Sequence, residues 1–190
     1  MMDCLSLPTA LEVGGQSYAI RYDWRAVIDV INILGSEEFQ DAEKYFCALK
    51  VFYVDFSKIP VRNYQEAMEH CYEFIGYGNS RDSGGPTLMS WKQDMKYIIS
   101  PVSKTIGRDV RSIRYDPVTN TGGLHWWTFL SAYMEIGDCL FAQILKIREK
   151  RSKGKPLDAA EKEWYQKNRD IVDLHDSYTA ADDALLAEWT

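Results

Sequence analysis

The chain has 190 residues and carries none of the segments that direct a protein into or across a membrane. Its N-terminus, Met1-Met2-Asp3-Cys4-Leu5-Ser6, shows no basic stretch followed by an apolar run, which is the pattern of a secretory signal. No apolar run approaches the roughly 20 residues that span a bilayer. The richest candidate, Trp126 to Ile147, is interrupted by Glu135, Asp138 and Gln143 and reads as a core helix. These absences predict a soluble, intracellular protein.

The residues that usually carry chemistry are sparse. Cysteines stand at 4, 47, 71 and 139 with no CxxC spacing, so reduced cysteines acting as small hydrophobes are expected. The three histidines, His70, His125 and His175, do not form HExxH. His70 precedes Cys71 directly, but adjacent helical residues diverge by about 100°, too far for a catalytic pair. No GxxxxGK[ST] and no GxSxG occurs, and the pairs Gly84-Gly85 and Gly122-Gly123 lack the strand-to-helix context of a dinucleotide turn. Glu135 and Asp138, three apart on a predicted helix, could face a hard cation together, but no third ligand lies within reach. The expectation is a protein that is not an enzyme, with no catalytic residue, no metal and no cofactor.

Apolar and aromatic residues are abundant. They make up 46% and 13% of the chain, with six Trp, twelve Tyr and seven Phe, enough to build a core that offsets the entropy of ordering. Leu11 and Val13 alternate before Gly14-Gly15, and Tyr18, Ile20 and Tyr22 alternate after it, which predicts a β-hairpin with glycines supplying the positive φ of its turn. Asp23 suits the N-cap of a helix carrying Trp24, Val27, Ile28, Ile31 and Leu34, and Gly35 is placed to end it. A second helix is predicted from Ser36, with Glu37 and Glu38 in its first turn and Phe39, Ala42, Phe46, Leu49 and Tyr53 as its recurring stripe. A third opens at Asn63-Tyr64-Gln65-Glu66 and stops at Gly76. A fourth opens at Ser90-Trp91-Lys92-Gln93 and bends or ends near Pro101. Residues 76–90 and 115–123 read as turn-rich loops.

The longest predicted helix runs from about Leu124 to about Lys150 and is apolar nearly all round, with a narrow polar stripe at Thr128, Ser131, Glu135 and Asp138. After Gly154 and Pro156, Asp158-Ala-Ala-Glu161 restarts a helix; the last residues, Ser177 to Thr190, have the composition of a frayed end. The fold class is therefore mainly α (α+β), a bundle of about five helices with an N-terminal β-hairpin. Residues 1–155 form the hairpin and bundle core, and 156–190 a helical appendage. Charge is uneven. Residues 146–155 hold six Lys or Arg and one Glu, while 156–190 hold nine Asp or Glu and three Lys or Arg. A helix end with a solvated loop accounts for the basic run; phosphate binding is the rival account.

Two segments carry a resemblance. One is Tyr18-Ala19-Ile20-Arg21-Tyr22-Asp23-Trp24-Arg25. The other is Leu124-His125-Trp126-Trp127-Thr128-Phe129, continuing through Ile144, Ile147 and Arg148 into the basic turn. Together they resemble the bacteriophage "gene product fifteen" family of siphophage tail-module proteins, from the hairpin to about residue 170. Trp24 stands where relatives are expected to have Phe in Asp-Phe-Arg. The resemblance implies a tail assembly chaperone of phages or prophages, working in the cytoplasm of the bacterial host. Its partners would be the tape-measure protein and other tail proteins, with the chain acting alone or as a homo-oligomer, and with no membrane. It implies no catalytic residue. The partner-binding residues expected are Trp126 and Trp127 with Lys146, Arg148, Lys150 and Arg151. The rivals are a structural tail protein retained in the virion and a nucleic-acid-binding phage regulator using 146–155.

Overall fold

The computed structural model of the chain describes residues 5–78 and 87–175; the expected frayed segment 177–190 and Cys4 lie outside them. The architecture is mainly helical with an N-terminal antiparallel hairpin. Strands β1 (Ala10–Val13) and β2 (Gln16–Ala19) pair with Leu11 opposite Tyr18, and the turn falls at Gly14-Gly15. Then follow α1 (Trp24–Leu34), α2 (Asp41–Phe52), two 3-10 turns, α3 (Tyr64–Ile75) and α4 (Trp91–Ile106). A two-residue hairpin, β3 (Tyr115–Asp116) with β4 (Thr121–Gly122), precedes α5 (Trp126–Met134), α6 (Leu140–Ser152), α7 (Ala159–Lys167) and α8 (Arg169–Val172).

Local signals act where they were expected. The Asp23 carboxylate accepts from the Arg25 backbone N–H and starts α1, and Gly35 caps its end. Asp158 and Glu161 form a complete capping box at α7. Ser90 starts α4, accepting from Gln93 N, but the reciprocal partner is the Asp94 carboxylate instead of Gln93. The α4 helix runs through Pro101 to Ile106.

Two expectations need correction. The predicted 124–150 helix is two helices. The chain leaves the helical region at Glu135, Gly137 takes φ +60, a conformation that L side chains rarely adopt, and Cys139 restarts α6 with its Sγ accepting from Ala142 N. Glu135 and Asp138 therefore share no helix. The second helix begins at Asp41, not Ser36, because Gln40 and Glu43 make the capping box. Its buried residues are Ala48, Leu49 and Phe52, with Tyr53 just beyond, whereas Phe39 and Phe46 of the expected stripe stay 42% and 48% exposed.

The chain packs as two compact units, Met1–Gly84 with Ile98–Ile136, and Gly85–Tyr97 with Gly137–Thr190. Where the sequence suggested a division at residue 155, the packing places α6 with the segments that follow it. In the first unit the core is strongly aromatic. Phe74 packs on Phe52 at 5.4 Å and on Trp127 at 5.7 Å between ring centroids, and Phe129 stacks on both Trp24 (5.0 Å) and Trp126 (5.8 Å). Such pairs add about 0.5–1.5 kcal/mol each beyond their buried area. In the second unit Ile144, Ile147 and Val172 are buried together, with Tyr97, Leu157, Trp164, Tyr165 and Ile171 packed around them.

Candidate functional site

The residues that make the sequence distinctive are spent on the fold. Asp23, 0% exposed, accepts from Leu124 N at 2.8 Å and from the Arg25 guanidinium at 3.1 Å as well as capping α1, so it ties the hairpin exit to the entrance of α5. Arg25 in turn donates to the carbonyls of Val110 and Ile113, each at 3.1 Å. Arg21 donates to the carbonyls of Val51 (2.8 Å) and Tyr53 (3.1 Å) at the end of α2. A planar, permanently charged guanidinium can satisfy several carbonyls at once, which is why these positions need Arg.

His125 is a fastener of the same kind. Its Nδ1 accepts from Trp127 N at 3.1 Å as the N-cap of α5, so the proton sits on Nε2, which donates to the Pro8 carbonyl at 3.0 Å. Burial pushes its pKa below the usual histidine range, against an opposing pull from the Pro8 carbonyl. A neutral imidazole held from both nitrogens is a structural group.

Of the six expected partner-binding residues, Trp126 and Trp127 are each 1% exposed. Their indole N–H groups donate to the Ile75 and Phe74 carbonyls at 3.0 and 2.8 Å, so they anchor α5 to the end of α3. Arg148 is buried in the second unit. It grips Asp94 through two bonds of 2.6 and 2.9 Å and donates to the Val172, Leu88 and Ile171 carbonyls. Lys146 and Lys150 both reach Glu161, at 3.2 and 2.6 Å, and the Lys150 ammonium is the chief reason that the Glu161 carboxyl titrates down at about 2. Arg151 pairs with Asp173 and lies over the Tyr165 ring, and Lys153 pairs with Glu149. Five of the six cations of the basic run therefore pair within their own unit, three of them with acidic residues from the segment that follows it.

An open groove of about 440 Å³ lies beside the C-terminal end of α4, lined by Ser100, Ser103, Lys104, Arg108, Asp109 and Arg111. Arg111 is locked onto Asp109, whose carboxyl it holds at about 2, and Ser103 Oγ accepts from Val110 N. Among the described residues no group of three or more His, Cys, Asp or Glu is placed to hold a metal ion. No helix there is long and apolar enough to cross a membrane. Cys71 is fully buried, and burial pushes its thiol far above the ordinary range.

The first unit leaves several large apolar side chains open to solvent: the aliphatic Leu5, Leu7, Val61, Val118 and Met134, scattered along the chain, and a set of aromatic rings. Phe39, Tyr45 and Phe46, preceding and within α2, and Tyr72 on α3 are 42–48% exposed. Phe46 meets the buried Phe56 edge-on at 5.1 Å, and Phe56 meets Tyr64 at 5.0 Å, so part of this surface continues into a supported aromatic layer. Sequence periodicity placed Phe39 and Phe46 in a core stripe, because a half-exposed ring at helical spacing looks like a core ring, and it left Tyr45 and Tyr72 unassigned. The signal that marks them is their company: Glu37, Glu38, Asp41 and Glu43 crowd the same stretch.

A family model described as Bacteriophage Gp15 protein matches residues 4–174. No curated protein and no solved structure matches the chain.

Proposed function

The chain belongs to the bacteriophage Gp15 protein family, and on that premise we propose that it is a non-enzymatic tail assembly chaperone that binds the tape-measure protein in the cytoplasm of the bacterial host. The observation that supports this reading is the surface aromatic set Phe39, Tyr45, Phe46 and Tyr72. Large rings held half out of a core lose little side-chain entropy when a partner covers them, and they supply the anchors on which interfaces concentrate their energy. A client that must be coated and later released needs such a surface: apolar enough to be covered, small enough to let go. Within 146–155, by contrast, Lys146, Arg148, Lys150, Arg151 and Lys153 are engaged with Glu161, Asp94, Asp173 and Glu149.

Co-expression with the tape-measure protein is the test. A soluble complex of the two, and absence of the chain from mature particles by mass spectrometry, is the expected result. A client that stays insoluble with no complex formed refutes the reading. Recovery of the chain in mature particles replaces it with that of a structural tail component.

A further inference from the structure

We propose that the aromatic face of α2 and α3 is the docking site for an amphipathic helix whose apolar side is flanked by lysine or arginine. The inference rests on the reading above in requiring a protein partner, and it adds that partner's chemistry.

The charge distribution carries it. Residues 36–46 and 64–75 together hold seven Asp or Glu (Glu37, Glu38, Asp41, Glu43, Glu66, Glu69 and Glu73) against one lysine, Lys44. Their net charge of −6 equals that of the whole chain, so every other residue taken together sums to zero. Within the first unit, the two stretches that expose these aromatic rings are therefore strongly acidic.

The two stretches meet in space. The α2 and α3 helices pack against each other, with Phe52 of one meeting Phe74 of the other at 5.4 Å, and the Tyr72 hydroxyl, held above its ordinary range chiefly by burial and then by Tyr45, lies beside Tyr45. Three of the carboxylates there accept from uncharged donors, and His70 lies 3.8 Å from Glu66 and 3.7 Å from Glu73. Glu43 accepts from Gln40 N, Glu66 from Gly14 N and Glu69 from Gln65. Lys44 lies 3.8 Å from Asp41, whose side chain is 84% exposed. Exposed rings in stretches that carry seven carboxylates against one lysine select a ligand with an apolar stripe and cationic edges, because complementary charge steers encounter and like charge rejects the wrong partner. A helix presents such a stripe at positions i, i+3, i+4 and i+7. A nucleic acid has the wrong sign for this face.

The experiment uses the full chain and two labelled helical peptides sharing one leucine face, flanked in one by lysine and in the other by glutamate, with a random duplex DNA as a third probe. Fluorescence anisotropy is expected to show the lysine peptide bound about tenfold or more tighter than the glutamate peptide, with weakening at high salt. The Tyr45→Ser/Tyr72→Ser variant and the Asp41→Lys/Glu69→Lys variant are each expected to weaken it about tenfold. The charge variant alters only exposed side chains, so it remains informative if the tyrosine variant misfolds. Equal binding of the two peptides, preference for the DNA, or lysine-peptide binding untouched by the charge variant overturns the proposal. A tape-measure complex that forms but ignores both variants refutes this face alone. Specific lysine-peptide binding without any tape-measure complex refutes the chaperone reading alone.

Discussion

Replacing Arg148 by alanine removes the centre of the second unit. The guanidinium is 5% exposed and the Asp94 carboxylate 0%, and the two share bonds of 2.6 and 2.9 Å. Without the guanidinium, Asp94 keeps only the Ser90 N–H at 2.9 Å, and the carbonyls of Leu88, Ile171 and Val172 lose their donor. Leaving one partner of a buried ion pair uncompensated costs roughly 3–5 kcal/mol. A small domain is stable by about 5–15 kcal/mol in total, so the variant should lose roughly a third or more of that stability. Adding Asp94→Leu removes the stranded charge but not the orphaned carbonyls, so the double variant should regain about 2 kcal/mol over Arg148→Ala. Urea denaturation followed by circular dichroism gives the stabilities, and amide exchange over residues 140–172 localises the loss. Single variants within about 1 kcal/mol of wild type, as surface pairs would be, refute the reasoning. So does a double variant as unstable as the sum of the two singles.

Three further outcomes follow from the first unit. His125 has its pKa lowered by burial, so the folded state holds it neutral while the unfolded chain takes up a proton near pH 6.5. Its contribution is therefore complete above pH 6.5 and is lost as pH falls toward the lower folded value. Denaturation midpoints should drop between pH 7.5 and 5.5, about where histidine titrates, and His125→Asn, which keeps a capping oxygen, should flatten that drop; an unchanged slope in the variant contradicts the assignment. Trp24 Nε1 is buried without an acceptor among the described residues, a penalty of about 1–3 kcal/mol that roughly offsets the area lost in Trp24→Phe, so thermal melting should show near-neutral stability; a loss above about 3 kcal/mol contradicts this. Trp127→Phe, which removes the indole bond to the Phe74 carbonyl and part of a fully buried ring while Tyr77 N still donates to that carbonyl, should cost about 2 kcal/mol in urea, whereas Tyr45→Ser should cost about 1 kcal/mol or less; the reverse order would mean that core and surface have been misassigned.

How much of this was legible in the sequence depends on the distance over which each feature is determined. The hairpin turn, the Asp23 cap, the Gly35 stop and the Asp158–Glu161 box are each fixed within a few residues, and all were readable. The break at residues 135–139 was missed because an apolar run masks a single glycine. The Trp126 and Trp127 partners lie 51 and 53 residues away, and Asp94 lies 54 from Arg148, so nothing local showed that these side chains were already committed. The exposed face was half legible: its charges could be counted, but Phe39 and Phe46 fell into the expected core stripe and Tyr45 and Tyr72 into none, because periodicity alone does not show which face of α2 is covered. The residues that carry the family resemblance hold the fold, and the face proposed for binding is built from others.

The most direct test of that division is amide hydrogen exchange on the full chain with and without the tape-measure protein. The account predicts new protection over residues 36–46 and 64–75, with 146–155 unchanged. Protection centred on 146–155, or none at the aromatic face, would contradict it.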